Sequence, residues 1–388
     1  MKVYIGCFGS GLGHAARMLE VAKELDRKEA KLEFSSSGEV ASLISRKGYR
    51  CNRLPLADVS YSEDGEFQVK ETLLDTPSIL TRTNEQLVSE LTNIGKFAPD
   101  VVLSDSALPT ALAGKILRIP TFTVLNQLNL TSSHGRKNAF SRLFSVGMTA
   151  GMGKLWELTD YVFLPDLPPP YTISEKNLWG SGVENARYVG FLFSQEKSVP
   201  DEAAREFAAD KRPKVFWQVS GPPKTRKAFL EKALKYSASM SDEFAFVITG
   251  GDPSGATTAE RVGGSWYYGW CNIADVYFRS CDVVVSRAGH GTIAQSIMSS
   301  KPMLIVPIPK QPEQEGNADK ASQLGVSITM HQGDLAVESV RASLRSLLRE
   351  SHRARAEELG KIARKYDARS TIVAALEEGS RRGRRGPR

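Results

Sequence analysis

The chain is 388 residues long, which exceeds one ordinary domain and makes two the natural expectation. Hydrophobic residues make up 41% and charged residues 24%, a globular composition with ample core and no apolar run long enough to cross a bilayer. The net charge of +7 falls to +2 without the closing RRGRRGPR, so the body is nearly balanced and nucleic acid is not expected as a partner.

The chain opens MKVYIGCFGSGLGHAARMLEVAKEL, which predicts a strand over 2–8, a glycine-rich turn and a helix. Ala15, Met18, Leu19, Ala22 and Leu25 share one helical face. The strand pattern follows Lys2 directly, so no secretory leader is expected. Further strands are predicted over 30–35, 99–105, 120–125, 161–164 and 187–190, with helical patterns between them. Two stretches, 164–182 (LPDLPPPYTISEKNLWGSG) and 194–214 (SQEKSVPDEAAREFAADKRPK), interrupt the alternation. It restarts with strands over 214–219, 244–249, 281–286 and 303–307. Such alternation predicts an α/β fold, with two Rossmann-like, doubly wound domains of parallel strands facing a central cleft. The expected division is 1–192 and 193–350, with helices over 351–378 packing back across both and a disordered basic tail over 379–388. That tail suits a polyanion, acidic lipid head groups or RNA, or serves solubility alone. The cysteines Cys7, Cys51, Cys271 and Cys281 are scattered without a C-x-x-C pair, which suits a reducing cytosol and argues against metal or disulfide roles.

Two motifs stand at predicted strand ends in the second half. After strand 281–286 comes Ser286-Arg287-Ala288-Gly289-His290-Gly291-Thr292, where a helix begins. Small residues let a ligand approach the backbone, the helix N-terminus offers unpaired N–H groups, and Thr292 adds a hydroxyl; together they suit a diphosphate. After strand 303–307, a loop carrying Glu313, Gln314 and Asn317 offers an acid and amides suited to sugar hydroxyls.

These residues resemble the donor half of the GT-B glycosyltransferases. That group includes the UDP-glucuronosyl/glucosyltransferases and the family 28 enzyme that adds N-acetylglucosamine to a lipid-linked cell-wall precursor. In them an S-R-A-G-x-x-T-x-x-E run binds diphosphate and ribose, and a [D/H]-Q-x-x-N-A run binds the sugar. The resemblance implies diphosphate contacts at Gly289, His290, Gly291 and Thr292, and at Ser220-Gly221, where the family often has Gly-Gly-Ser. It implies ribose contact at Gln295, where the family has an acid, and sugar contact at Glu313 and Gln314. Trp270, Cys271 and Ile273 are expected to line the base pocket, although Trp270 reads equally well as a core aromatic. The implied co-substrate is a UDP-sugar, with no further cofactor.

The same resemblance explains the opening loop. In that superfamily a Gly-His at the first loop supplies the general base, and His14 in GSGLGH stands at that position, with Gly11 and Gly13 before it. Family members often orient the histidine with an aspartate, and Asp105 follows an apolar run directly before a helix. His14 could instead cap or fill a turn, and Asp105 could be an ordinary N-cap. Arg17, one turn after His14, is expected to meet a donor phosphate or an acidic acceptor. Gly11-x-Gly13-x-x-Ala16 also fits a dinucleotide fingerprint, yet strand 30–35 runs into Ser35-Ser36-Ser37-Gly38 with no acid at its tip. No Asp-x-Asp pair occurs, so metal-independent, inverting transfer is expected.

The acceptor, a hydroxyl compound, is not legible. Segment 134–158 combines Arg136, Lys137, Arg142 and Lys154 with Phe140, Leu143, Phe144, Met148 and Met152, which suits either a membrane surface bearing a lipid-linked acceptor or an ordinary core helix with a basic face. The loop over 57–70 is polar enough for an acceptor site. A cytoplasmic location, peripheral to the inner membrane face, is expected. A UDP-sugar 2-epimerase and a non-catalytic sugar-nucleotide-binding subunit remain as alternatives.

Overall fold

The first sheet is wholly parallel and runs through seven short strands, with β3 and β7 at its less buried edges. The computed structural model describes residues 1–57, 76–126, 153–178, 183, 185–193 and 197–384. The strands are β1 (Lys2–Cys7), β2 (Lys31–Ser36), β3 (Cys51–Arg53), β4 (Val101–Asp105), β5 (Thr121–Val124), β6 (Tyr161–Leu164) and β7 (Ala186–Tyr188), in the order β3-β2-β1-β4-β5-β6-β7. The helices α1 (Leu12–Asp26), α2 (Gly38–Arg46), α3 (Thr76–Phe97) and α4 (Leu108–Ile116) connect them. Helix α4 lies close on the sheet because β1 has no side chain at Gly6, where a Cβ would fall 2.0 Å from Thr110 Oγ1.

The second sheet also has seven strands: β8 (Lys214–Gln218), β9 (Ala245–Thr249), β10 (Glu260–Val262), β11 (Ser265–Tyr268), β12 (Val283–Ser286), β13 (Met303–Ile305) and β14 (Ser327–Thr329). Their order is β10-β11-β9-β8-β12-β13-β14, all parallel except the β10–β11 hairpin. Helices α5 (Glu202–Ala209), α6 (Pro223–Ser239), α7 (Ala274–Ser280), α8 (His290–Met298), α9 (Pro312–Gln323), α10 (Val337–Leu347) and α11 (Glu350–Ala363) belong with it. Trp217, Phe229, Val285 and Leu344 are fully buried in its core. Strands β3, β10, β11 and β14 have three or four residues each, too few for an alternating pattern to register in the sequence.

Described residues up to Leu192 and from Tyr366 onward form one compact unit, and Phe193–Lys365 the other. The closing helix α12 (Ala368–Arg384) therefore belongs with the first sheet. It lies along α1, and Arg369 reaches to 3.7 Å from Glu20 on that helix. This cover explains why α1 buries Glu20 as well as the predicted apolar face. The basic tail expected to be disordered from 379 is helical through Arg384. Gly379 and Gly383, one turn apart, bring that helix against Phe122 and Pro120, where a Cβ would stand 2.6 Å and 3.1 Å from the rings. Among the described residues no helix is long and apolar enough to cross a membrane. Most of 134–158 and of 57–70 lies outside the described residues, as does 385–388.

Inside the first unit α3 buries a carboxyl completely. Glu90 receives hydrogen bonds from Tyr4 Oη at 2.5 Å, Ser35 Oγ at 2.6 Å and Thr110 Oγ1, and among the described residues no cation meets it there. Burial pushes its pKa up, only partly offset by the hydroxyl donors. A carboxyl raised in the fold favours folding while it is neutral. That contribution is complete below the unfolded-chain value of about 4.3 and is lost as pH climbs to the folded value. Glu90→Gln keeps an acceptor for Ser35 and Thr110 and a donor for Tyr4, and has no proton to lose. Its melting temperature should exceed the wild type's by about 2–4 °C at pH 8, with the gap closing toward pH 4.5. A gap that widens on acidification would show that Glu90 is ionised in the fold.

Candidate active site

In an open α/β sheet the carboxyl ends of the strands flanking the point where strand order reverses form a natural crevice. In the first unit those strands are β1 and β4, which pair in register with Cys7 opposite Asp105. After Cys7 the Phe8 N–H donates to the Asp105 carbonyl at 3.0 Å, and the chain turns through Gly11, whose φ of +87° suits glycine, into α1. His14 therefore stands in the first turn of α1, beside the end of β4. Its Nδ1 is 3.0 Å from Asp105 Oδ1, with Asp105 at 0% exposure and the His14 side chain at 19%. Phe8 meets the imidazole edge-on at a ring distance of 5.5 Å. Ala107, not Asp105, occupies the N-cap of α4, so the capping alternative falls. A Cβ at Gly13 would meet nothing within 4 Å, leaving room beside this turn.

Arg17 is not where the sequence suggested. It is buried rather than offered to a phosphate or an acidic acceptor. It grips both Asp105 oxygens through Nε and Nη2, and Nη1 donates to Asn126 Oδ1 at 2.9 Å. Its position on α1, three residues after His14, points both side chains at one carboxylate. Burial alone would raise the Asp105 pKa, but Arg17 and then His14 outweigh it and hold the carboxyl below its usual value.

In the second unit the flanking strands are β8 and β12, paired with Gln218 opposite Ser286. Beyond β8 come Ser220 and Gly221, whose φ of +110° and a Cβ position 2.7 Å from Thr225 Oγ1 admit only glycine without strain. Beyond β12, Gly289 is the N-cap of α8, and His290, Gly291 and Thr292 form its first turn. Cβ atoms at Gly289 or Gly291 would meet nothing within 4 Å, so the backbone there faces open space. His290 is buried, and Thr292 and Gln295 are half-buried along α8.

The loop between β12 and α8 is held from behind. Gln314 Oε1 accepts the Ala288 N–H at 3.2 Å and the Ile308 N–H at 2.9 Å, and Asn317 Nδ2 donates to the Ala288 carbonyl at 3.1 Å. Gln314, expected to grip a sugar, is 6% exposed and has its carbonyl oxygen committed to this clamp. Glu313 beside it on α9 is half-buried. Arg287, to which the sequence assigned no task, is fully buried over the Phe229 ring at 4.2 Å. It donates to the carbonyls of Val306, Pro307 and Thr225 at 3.2–3.3 Å and to Gln332 Oε1 at 2.7 Å, and burial lowers its pKa to about 9. Before α7, Trp270 is half-buried with Nε1 donating to Asn272 Oδ1 at 3.0 Å. Ile273 is the N-cap of that helix, and Cys271 is buried with its thiol pushed up to about 12 by burial. Asn126 and Phe8 were also missed; each stands within two residues of a strand end, the one signal that could have marked them.

Comparisons with known proteins match a family model to each part of the chain. Residues 1–146 match the model described as glycosyl transferase family 1, and residues 239–372 match the glycosyltransferase family 28 C-terminal domain. An uncharacterized glycosyltransferase of Methanosarcina mazei is 25% identical over 382 residues, covering 98% of this chain and 100% of that protein. A UDP-N-acetylglucosamine–N-acetylmuramyl-(pentapeptide) pyrophosphoryl-undecaprenol N-acetylglucosamine transferase of Prochlorococcus marinus is 36% identical over 73 residues, 18% of this chain and 20% of that protein. Among solved structures, the spinosyn rhamnosyltransferase SpnG complexed with thymidine diphosphate superposes with a TM-score of 0.70 at 16% identity, over 97% of this chain and 100% of that one. With matching family models on both sides of its division and two parallel sheets of this order, the chain is a glycosyltransferase of the GT-B type.

Proposed function

We propose that this chain transfers a sugar from a uridine diphosphate sugar to a hydroxyl acceptor by a single in-line displacement that inverts the anomeric carbon. The observation that carries the reading is the 3.0 Å contact between His14 Nδ1 and the buried Asp105 carboxylate at the end of β4. An imidazole so held presents Nε2 to an acceptor hydroxyl. As the acceptor oxygen bonds to the anomeric carbon, its proton passes to Nε2. The bond from that carbon to the diphosphate breaks, and the electron pair leaves with the nucleotide. Thr292 and the N–H groups at the start of α8, where Gly289 and Gly291 leave open space, suit the departing charge. No carboxylate pair of the Asp-x-Asp kind occurs in the sequence, which supports neutralisation of the diphosphate by these groups without a metal ion.

The nucleotide rests on the resemblance to UDP-sugar enzymes and on the short match to a UDP-N-acetylglucosamine transferase. A thymidine diphosphate sugar is the second reading, favoured by solved relatives that hold thymidine diphosphate. The acceptor, which the resemblance allows to be lipid-linked at the inner face of a cell membrane, is to be sought among hydroxyl compounds. Epimerisation would call for carboxylates around the sugar, and the amides Gln314 and Asn317 are engaged with backbone instead.

Calorimetric titration with UDP, TDP, GDP, their sugars and NAD in the presence of EDTA tests the donor. Binding of UDP with a preference among its sugars is expected; a TDP preference moves the second reading forward, and NAD binding alone overturns the assignment of both loops. With a responsive acceptor found, His14→Ala should lower kcat about 10²–10⁴-fold with donor affinity unchanged. A variant that keeps full function would point to a binding subunit, and a product retaining the donor's anomeric configuration would sink the inverting displacement.

A further inference from the structure

Arg17 is the group at the first site that the proposed chemistry leaves without a task. Its Nε donates to Asp105 Oδ2 and its Nη2 to Oδ1, while Nη1 donates to Asn126 Oδ1 at 2.9 Å. Nη2 also lies 2.9 Å from His14 Nδ1. The imidazole Nδ1 thus has two neighbours, Asp105 Oδ1 at 3.0 Å and Arg17 Nη2 at 2.9 Å, and can satisfy only one of them. It points a hydrogen at the carboxylate or a lone pair at the guanidinium. The choice fixes the other ring nitrogen: Nδ1–H leaves the lone pair on Nε2, whereas an accepting Nδ1 puts the proton on Nε2 and removes the base.

We propose that Arg17 is a positioning residue for His14: its side-on grip on Asp105 offsets the carboxylate's charge and leaves Oδ1 turned to receive Nδ1–H, so that the imidazole rests neutral with its lone pair on Nε2. The inference deepens the reading of His14 as general base and rests on it. Without the guanidinium, a carboxylate at 0% exposure would have the imidazole as its one ionisable hydrogen-bond partner. The pair would then settle by moving a proton onto the ring, because an unpaired buried charge costs several kcal/mol. An imidazolium cannot take a proton from the acceptor. With Arg17 present, the carboxylate and the guanidinium cancel, and the cluster is neutral only while His14 is neutral.

Among the described residues, the other groups named against the cluster leave this balance undisturbed. Cys7 on β1 stands opposite Asp105, and burial, then Asp105 itself, keeps its thiol well above the usual value and so neutral. Asn126 beyond β5 and Ser106 beyond β4 carry no charge, and Phe8 offers a ring edge. Ser106 Oγ, 3.5 Å from Nη2, gives the second Nη2 hydrogen an outlet other than Nδ1.

Nitrogen NMR of the full chain labelled at histidine reads the outcome directly. There are five histidines, and His14→Gln assigns the signals of the fifth. At pH 7.5 the wild type should show His14 protonated on Nδ1 alone, Arg17→Gln should show it as imidazolium, and Arg17→Lys, which restores the charge, should return it to neutral. In kcat/KM profiles the acidic limb of Arg17→Gln should move up by about one pH unit or more, a loss of about tenfold or more on the acidic side of the limb that recovers at alkaline pH. A loss equal at every pH would mean a structural role and overturn the proposal. Wild-type His14 protonated on Nε2 alone would overturn it even if Arg17→Gln failed to fold. These spectra need no turnover, so an absence of transferase activity would count against the proposed function while the tautomer still decides the role of Arg17.

Discussion

A carboxylate with no access to water has to be paired, and the first unit is organised around meeting that demand at Asp105. The residue sits where β4 ends beside β1, with its partners supplied by the ends of other elements: His14 and Arg17 from α1, Asn126 from beyond β5. Removing one partner of a buried pair costs about 3–5 kcal/mol, because the remaining charge is stranded. The start of α1, the end of β4 and the segment after β5 are therefore tied to one another through a single charge. The imidazole that results is held by a group which itself cannot move, and catalytic groups need that kind of fixed support.

The same unit holds a second buried carboxyl and treats it in the opposite way. Among the described residues Glu90 is met by three hydroxyls and no cation, so burial dominates and raises its pKa; Asp105 is met by a guanidinium and an imidazole, which win over burial and lower it. Hydroxyl donors favour the ionised form yet do not offset the burial of Glu90, whereas the added countercharges outweigh burial at Asp105. Two carboxyls pushed apart in this way divide the work: Glu90 braces α3 against β1, β2 and α4, and Asp105 keeps the ionised state that a histidine can lean on.

The second unit, where the proposed function puts the donor diphosphate, meets a different demand, because a site for a diphosphate must keep negative side chains away. Arg287, one of its buried cations, donates to backbone carbonyls and one amide, with no carboxylate partner among the described residues, so it fastens the loops after β12 and β13 together without adding negative charge. Gln314 and Asn317 complete the fastening with neutral groups. The backbone at Gly289 and Gly291 is thereby fixed while the space in front of it stays open. Preorganised N–H groups act on developing charge in proportion to how little they must move to meet it.

Most of the longer strands were legible from their apolar runs, whereas the pairing of His14 with Asp105 was implied by the family resemblance, helped by the place of Asp105 at the end of such a run. Direction was harder. Arg17 reads as a group for a donor phosphate or an acidic acceptor until its grip on Asp105 and Asn126 is known, and the tail from 379 reads as disordered until Gly379 and Gly383 are seen against Phe122 and Pro120. Gln314 is the instructive case, since its chemistry alone suggests a grip on sugar. Yet Gln314, Asn317, Ala318 and Ala321 fall at i, i+3, i+4 and i+7, the spacing of one buried helical face, and all four are buried in α9. A polar residue that shares a stripe with alanines has its direction set by the helix, and its hydrogen bonds then belong to whatever backbone lies beneath, here the loop that carries the diphosphate motif.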